Sequence, residues 1–266
     1  ALPGLAPPLA MVGVAEKGYV TLHLTAALDE GGHSSMPPKQ TAIGILSDAI
    51  TKLEANPFPA RIDGAARGLL DHVGPEMPLP FKIVFANMWL TEDLLKWQFS
   101  QAPTSSALIR TTTAPTIIRA GVKDNVLPST AEAKVNFRIL PGETVETVIE
   151  QVRRTIGDGR VKVEPDKASF GENPSPVSAT NTFGFSVIQK SIREVFPQAI
   201  VAPALVIGAT DSRHYREVSD NIYRFLPVQV ANADLSRIHG QNERVSIENY
   251  KNTIRFYRQL ILNSTR

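Results

Sequence analysis

Apolar and polar residues alternate along Tyr19–Leu28 and along Ala131–Leu140 (AEAKVNFRIL), the period of strands with one buried face. Residues 111–121 (TTTAPTIIRAG) are rich in β-branched residues, and Met11–Val14, Val161–Val163, Ala202–Ile207 and Asn221–Pro227 are shorter apolar runs that also predict strands. Three stretches repeat instead at helical spacing. Ile43, Ile45, Leu46, Ala49, Ile50 and Leu53 form a stripe after Pro37-Pro38. Val145, Val148, Ile149 and Val152 form another behind a plausible cap at Thr144. Ile247, Tyr250, Ile254, Tyr257 and Ile261 share one side of Ser246–Leu262. Phe183–Val195 adds a further helix. Residues 56–110 are Pro-broken and helical in character, and their tryptophans, Trp89 and Trp97, read as core.

The order strand, helix, insertion, strand, strand, helix, strand over about residues 18–165 predicts a four-stranded antiparallel sheet with two helices on one face. The fold class is therefore α/β, with a ferredoxin-like unit enlarged by a helical insertion. The 266 residues suffice for one large core or two smaller ones.

Charge narrows the functions. The 28 basic and 26 acidic residues nearly cancel, which gives no reason to expect a nucleic-acid partner. Without cysteine there is no disulfide, thiolate nucleophile or Cys-ligated zinc. No run approaches the roughly 18–20 apolar residues of a membrane span. No signal peptide is legible at the N-terminus, and the compartment is left open.

The chemistry concentrates in GATDSRHYREVSDNIYRFLPVQVANADLSRIHGQNE, residues 208–243, where an apolar run empties into a Gly-led turn. Gly208, Thr210, Asp211 and Arg213 stand at that strand exit, and His239 precedes Gly240 on the following loop. Such loops are either a site or two ordinary polar-capped connections. Of the other histidines, His33 follows Gly31-Gly32 in a turn and can project from the domain, whereas His23 and His72 read as structural. Arg213 and Arg138 are candidate carboxylate clamps, because a guanidinium pairs with a carboxylate through two prongs. Asn125 offers a donor and an acceptor, or bonds its own backbone in a turn. HExxH, His-x-Asp and Glu-Glu are all missing, and zinc needs at least three protein ligands.

Taken together, AEKGYVTLHLT, GGHSSMPP, GVKDNVLPSTAEAKVNFRILPGE, GATDSRHY and RIHGQNERVSIENY resemble the second half of a zinc-dependent peptidase and amidohydrolase family. That family contains aminoacylases, carboxypeptidase G, carboxypeptidase S and succinyl-diaminopimelate desuccinylase. GHSSMPP, KDNVLP and GATDSRHY are most similar to the carboxypeptidase S and N-fatty-acyl-amino-acid hydrolase branch.

The resemblance implies catalytic-domain segments at 1–17 and 161–266 and an inserted lid at 18–160 that carries the helical insertion 56–110 and a possible homodimer contact. It implies His239 as a zinc ligand and His33 as the lid histidine that steadies the anionic intermediate. Asn125, Arg213, Gly208 and Thr210 would meet the substrate, with Arg138 as the family's strand arginine. It implies two zincs per intact subunit, and an amide next to a free carboxylate, in a small peptide or N-acyl amino acid, as substrate. The remaining ligands and the general base lie upstream in that family. The chain is therefore expected to be a C-terminal piece, inactive alone. The alternative is a non-catalytic dimerisation or ligand-binding module.

Overall fold

The structure, a computed structural model, describes residues 5, 7–230, 234, 237, 238 and 240–265. Two sheets organise it. Strands β1 (Leu9–Glu16) and β8 (Ile200–Val206) pair in parallel; β4 (Thr112–Ala120), β6 (Thr130–Ile139), β2 (Gly18–Ala27) and β7 (Val161–Pro165) lie side by side in that order, every pair antiparallel. The second sheet is the expected four-stranded unit. Its fourth strand runs past the expected lid boundary at residue 160.

Alternation explains the four-stranded sheet directly. Val20, Leu22, Leu24 and Ala26 of β2 and Ala133, Val135, Phe137 and Ile139 of β6 point to one face, where α1 (Ala42–Ala55) and α6 (Val145–Ile156) cover them. Both helices start at side-chain caps. Thr41 Oγ1 accepts from the Gly44 amide, so α1 begins after Thr41 rather than at Pro37-Pro38. Thr144 forms a reciprocal capping box with Thr147, and Gly157 ends α6 at φ 58°, the left-handed backbone that glycine adopts without a steric penalty. The opposite face is polar: Asn136 donates to Thr21 Oγ1 (3.3 Å), Lys134 pairs with Asp166 (2.7 Å), and His23 lies 3.5 Å from Glu132.

Every residue from Val201 to Leu205 is buried, so β8 is covered on both faces. Val201 and Leu205 pack with Phe185 and Ile192 of α7 (Phe183–Val195) and Phe256 of α8 (Ile247–Ser264). Ala202 packs with Leu69 and Val73 of α2 (Gly64–Val73) and with Met77. The insertion thus packs on the β1–β8 pair. His72, expected to be structural, donates from Nδ1 to the Gly68 carbonyl one turn back (2.8 Å).

Three further expectations fail. Asn221–Pro227 is no strand; it meets β1 through the Gly13–Arg224 bridge, and Arg224, the bridging residue, buries its guanidinium against Glu16. The insertion's other helices, α3 (Leu79–Ala86), α4 (Met88–Phe99) and α5 (Pro103–Ile109), do not bury the tryptophans: Met88 and Leu95 face the core while Trp89 is 82% exposed and Trp97 60%. Apolar residues on both sides of α4 leave its sequence with no single inward face. On α8 the stripe Ile247, Tyr250, Ile254, Tyr257, Ile261 is exposed, and Phe256 and Asn263 are the buried positions.

Candidate functional site

Apart from the larger sheets, two short strands, β3 (Gly32–His33) and β5 (Val126–Leu127), pair antiparallel and bring His33 and Asn125 together. The Ser34 amide donates to the Asn125 carbonyl (3.1 Å) and completes the clasp. His33 Nδ1 accepts from the Ser35 amide (3.2 Å) and pairs with the Ser35 hydroxyl (2.9 Å). That leaves Nε2 of the exposed ring as the N–H donor. Asn125 Oδ1 is buried without a hydrogen-bond partner among the described residues, and such acceptors are rare in folded proteins.

A second cluster forms where the two sheets join. Lys17 alone separates β1 from β2, and the returning segment 172–176 runs alongside. The Glu16 amide donates to Ser175 Oγ (2.7 Å), the Ser175 amide to the Glu16 carbonyl (2.9 Å), and Tyr19 and Glu172 exchange two backbone bonds of 2.8 Å. Gly18 permits the crossing: a Cβ there would lie 2.6 Å from the Glu172 carbonyl oxygen.

Above this crossing the chain leaves β8 and makes a single 3-10 turn, Asp211–Tyr215, capped by Thr210, whose Oγ1 accepts from the Ser212 amide (3.3 Å). The turn carries Arg213, and Arg216 caps its end. Arg213 Nη1 lies 3.3 Å from Glu172 Oε2 and Arg216 Nη1 3.3 Å from Glu172 Oε1, so two arginines share one carboxylate. Arg213 also stacks on Phe170 (5.1 Å), Phe170 on Tyr19 (4.9 Å), and Arg138 on the other side of Tyr19 (4.6 Å). This cation–ring–ring–cation column connects Arg138 to Arg213. Gly208 is open; a Cβ would meet nothing within 4 Å, so local packing does not require glycine there.

Beneath the turn, Glu16 and Arg224 form a buried pair at 3.1 Å, and Ser212 Oγ donates to Glu16 Oε2 (2.8 Å). Burial lowers the Arg224 pKa, and Glu16 opposes that shift. Lys17, also buried, donates to the Arg110 carbonyl (2.7 Å). Burial pushes its ammonium down to about 8, a shift opposed by Glu143 and reinforced by Arg138. The unfolded chain holds that proton up to about 10.5, so between these values it binds more protons than the folded one and stability rises with pH. Below pH 8 the burial cost is fully present. Relative to Lys17→Met, the wild type is expected to gain up to about 3 kcal/mol between pH 8 and 10.5, read from paired urea titrations.

The sequence-derived residues thus fall into two groups: His33 with Asn125, and Gly208, Thr210, Arg213 and Arg138 around the crossing. His239 lies outside the described residues. No three His, Asp or Glu side chains gather as a metal site among the described residues. Sequence reasoning missed Arg216, Glu172, Phe170 and Tyr19. The RHYR spacing, two arginines one turn apart, was the available signal for Arg216; Glu172 has none, because it sits alone in a Gly- and Pro-containing loop.

Comparison with known proteins places this architecture. The chain is 45% identical over 262 residues to a probable carboxypeptidase S-like 2 of Dictyostelium discoideum, covering 98% of this chain and 50% of that protein. It is 40% identical over 267 residues to the N-fatty-acyl-amino acid synthase/hydrolase PM20D1 of Homo sapiens, covering 99% and 52%. The chain therefore spans about half the length of the curated relatives it matches. Among solved structures, the M20 family metallo-carboxypeptidase Sso-CP2 from Sulfolobus solfataricus shares the fold at a TM-score of 0.59 and 16% identity, over 95% of this chain and 60% of that one. Human carnosine dipeptidase 1 does so at 0.58 and 15%, over 97% and 57%. The M20 peptidase dimerisation domain matches residues 14–164, more than half of the sequence, and the chain belongs to that family.

Proposed function

We propose that the intact protein hydrolyses an amide bond next to a free carboxylate, as a carboxypeptidase or N-acyl-amino-acid amidohydrolase that depends on metal, with two zinc ions per subunit. The observation that carries this reading is the pair Arg213 and Arg216, already closed on a carboxylate, that of Glu172. A guanidinium braced on an aromatic face and directed at a carboxylate is how a substrate carboxylate is fixed in register. The related carboxypeptidase S-like and N-fatty-acyl-amino acid enzymes support the substrate class.

The geometry supports the following roles for the described residues. Arg213 orients the substrate's carboxylate, with Thr210 and Gly208 in the adjoining turn and Arg138 at the far end of the aromatic column. His33 donates from Nε2 to the oxygen that becomes negative as the carbonyl is attacked, and Asn125 offers its orphaned Oδ1 to a substrate N–H. His239 serves as a metal ligand. The described residues do not themselves fit a zinc site, which needs three protein ligands, so no step is assigned through the metal. Residues 1–266 alone are then inactive and behave as a dimerisation or ligand-binding module. Residues 1–17 and 166–266 are assigned to the catalytic domain and 18–165, through β7, to the lid. Among the described residues β4 pairs only with β6 and exposes Ile117 and Ile118, which offers the lid an edge for a homodimer.

The test is an assay of the intact protein on an N-acyl amino acid and on its methyl ester, which lacks the carboxylate. Arg213→Ala is expected to raise KM about 10- to 100-fold for the acid, the loss of one charge-assisted contact, and to leave the ester unchanged. Equal turnover of acid and ester by wild type and variant would sink the reading.

A further inference from the structure

We infer that Glu172 is a built-in stand-in for the substrate's carboxylate, one that only a carboxylate-bearing ligand displaces, so that Glu172 helps set specificity. This rests on the reading of Arg213 given above. Two carboxylate–arginine contacts lie at the same crossing and differ in kind. Glu16 and Arg224 are 3% and 9% exposed, at 3.1 Å, with Ser212 bridging them. Glu172 is 27% exposed and reaches each arginine with one oxygen at 3.3 Å. The first contact is sealed from solvent and the second is open to it.

Release needs little movement. The Glu172 backbone is held by both bonds to Tyr19, so only the side chain has to swing. Arg213 keeps its face on Phe170 when the carboxylate leaves, and Arg216 keeps the Asn173 carbonyl (3.4 Å). The seat therefore outlasts its occupant. Two guanidinium charges against one carboxylate leave the seat with a net positive charge, which draws a second carboxylate but gives a neutral ligand nothing with which to compete. Rejection of neutral analogues is then a property of the resident acid as much as of the arginines.

The test uses the intact protein and two probes that lack a scissile bond, 4-phenylbutyrate and its neutral counterpart 4-phenylbutanol, titrated calorimetrically. Glu172→Gln is expected to bind 4-phenylbutyrate about tenfold tighter than wild type, equivalent to one displaced ionic contact, and to bind the alcohol tighter as well, because the acid that bars it is gone. Glu172→Asp, too short to span both arginines, should fall between. Both variants should keep the wild-type circular dichroism, and Glu172→Asp carries the test if Glu172→Gln does not fold. Unchanged or weaker carboxylate binding in the folded variants would overturn the inference while preserving the carboxylate preference of Arg213. If the wild type and the variants alike bind acid and alcohol equally, and Arg213→Ala changes neither, the functional reading fails and the inference with it.

Discussion

Phe137→Ala is expected to destabilise the protein by about 3–5 kcal/mol, read as a fall in the urea midpoint at unchanged slope. Phe137 is fully buried on β6, inside the four-stranded sheet, with Val20 opposite it on β2 and Thr113 on β4. Its ring meets Phe58 edge-on at 5.9 Å. Phe58 opens the insertion just after α1, so the same contact ties the lid core to the segment that continues into α2. Truncation removes apolar area and leaves a cavity that a closed sheet under two helices cannot collapse to fill. Trp89→Ala is the control. An exposed aromatic of larger size should cost no more than about 0.5 kcal/mol, which separates burial from residue type. A Phe137→Ala loss below about 1 kcal/mol would mean the lid core is not packed as described.

The same contrast shows what was legible in the sequence. Alternation in AEAKVNFRIL told β6 which side chains to bury, and the stripe from Ile45 to Leu53 told α1 which face to turn inward; caps at Thr144 and Ser246 marked helix starts. These are local signals, each read within one or two turns of chain. The insertion defeated them, because Trp89, Leu90, Leu94 and Trp97 on one side of α4 and Met88 and Leu95 on the other give no preferred direction. Asn221–Pro227 failed differently: within a run that reads as strand, Arg224 alone bridges to β1, and its side chain goes to Glu16, a partner 208 residues away. The candidate site divides along the same line. His33 and Asn125 stand out as turn residues, but the β3–β5 ladder that joins them spans the whole insertion. The fit of Glu172 between Arg213 and Arg216 depends on the strand crossing at Gly18, and no window of sequence contains both halves of that crossing.

That crossing carries the second large effect. Glu16→Ala is expected to cost about 3–5 kcal/mol, because it leaves the buried Arg224 guanidinium without its charge partner. Burial already lowers the Arg224 pKa, and Glu16 is what restrains the shift, so removing Glu16 takes away the group that makes a charged arginine tolerable there. The double replacement Glu16→Leu with Arg224→Met should be close to neutral or stabilising: Glu16 Oε1 has no hydrogen-bond partner among the described residues, so the native pair is incompletely satisfied and an apolar pair of similar size loses little. A double-mutant cycle in urea, with Glu16→Leu and Arg224→Met as its singles, measures the difference, and additive single and double effects would contradict the pairing. The site should report the same change. Ser212 donates to Glu16 and accepts from Arg224 Nε at 2.7 Å, so both variants release the turn that carries Arg213. The double variant is then expected to keep its stability and lose carboxylate affinity, an outcome that would assign the buried pair to aiming Arg213 rather than to holding the fold together.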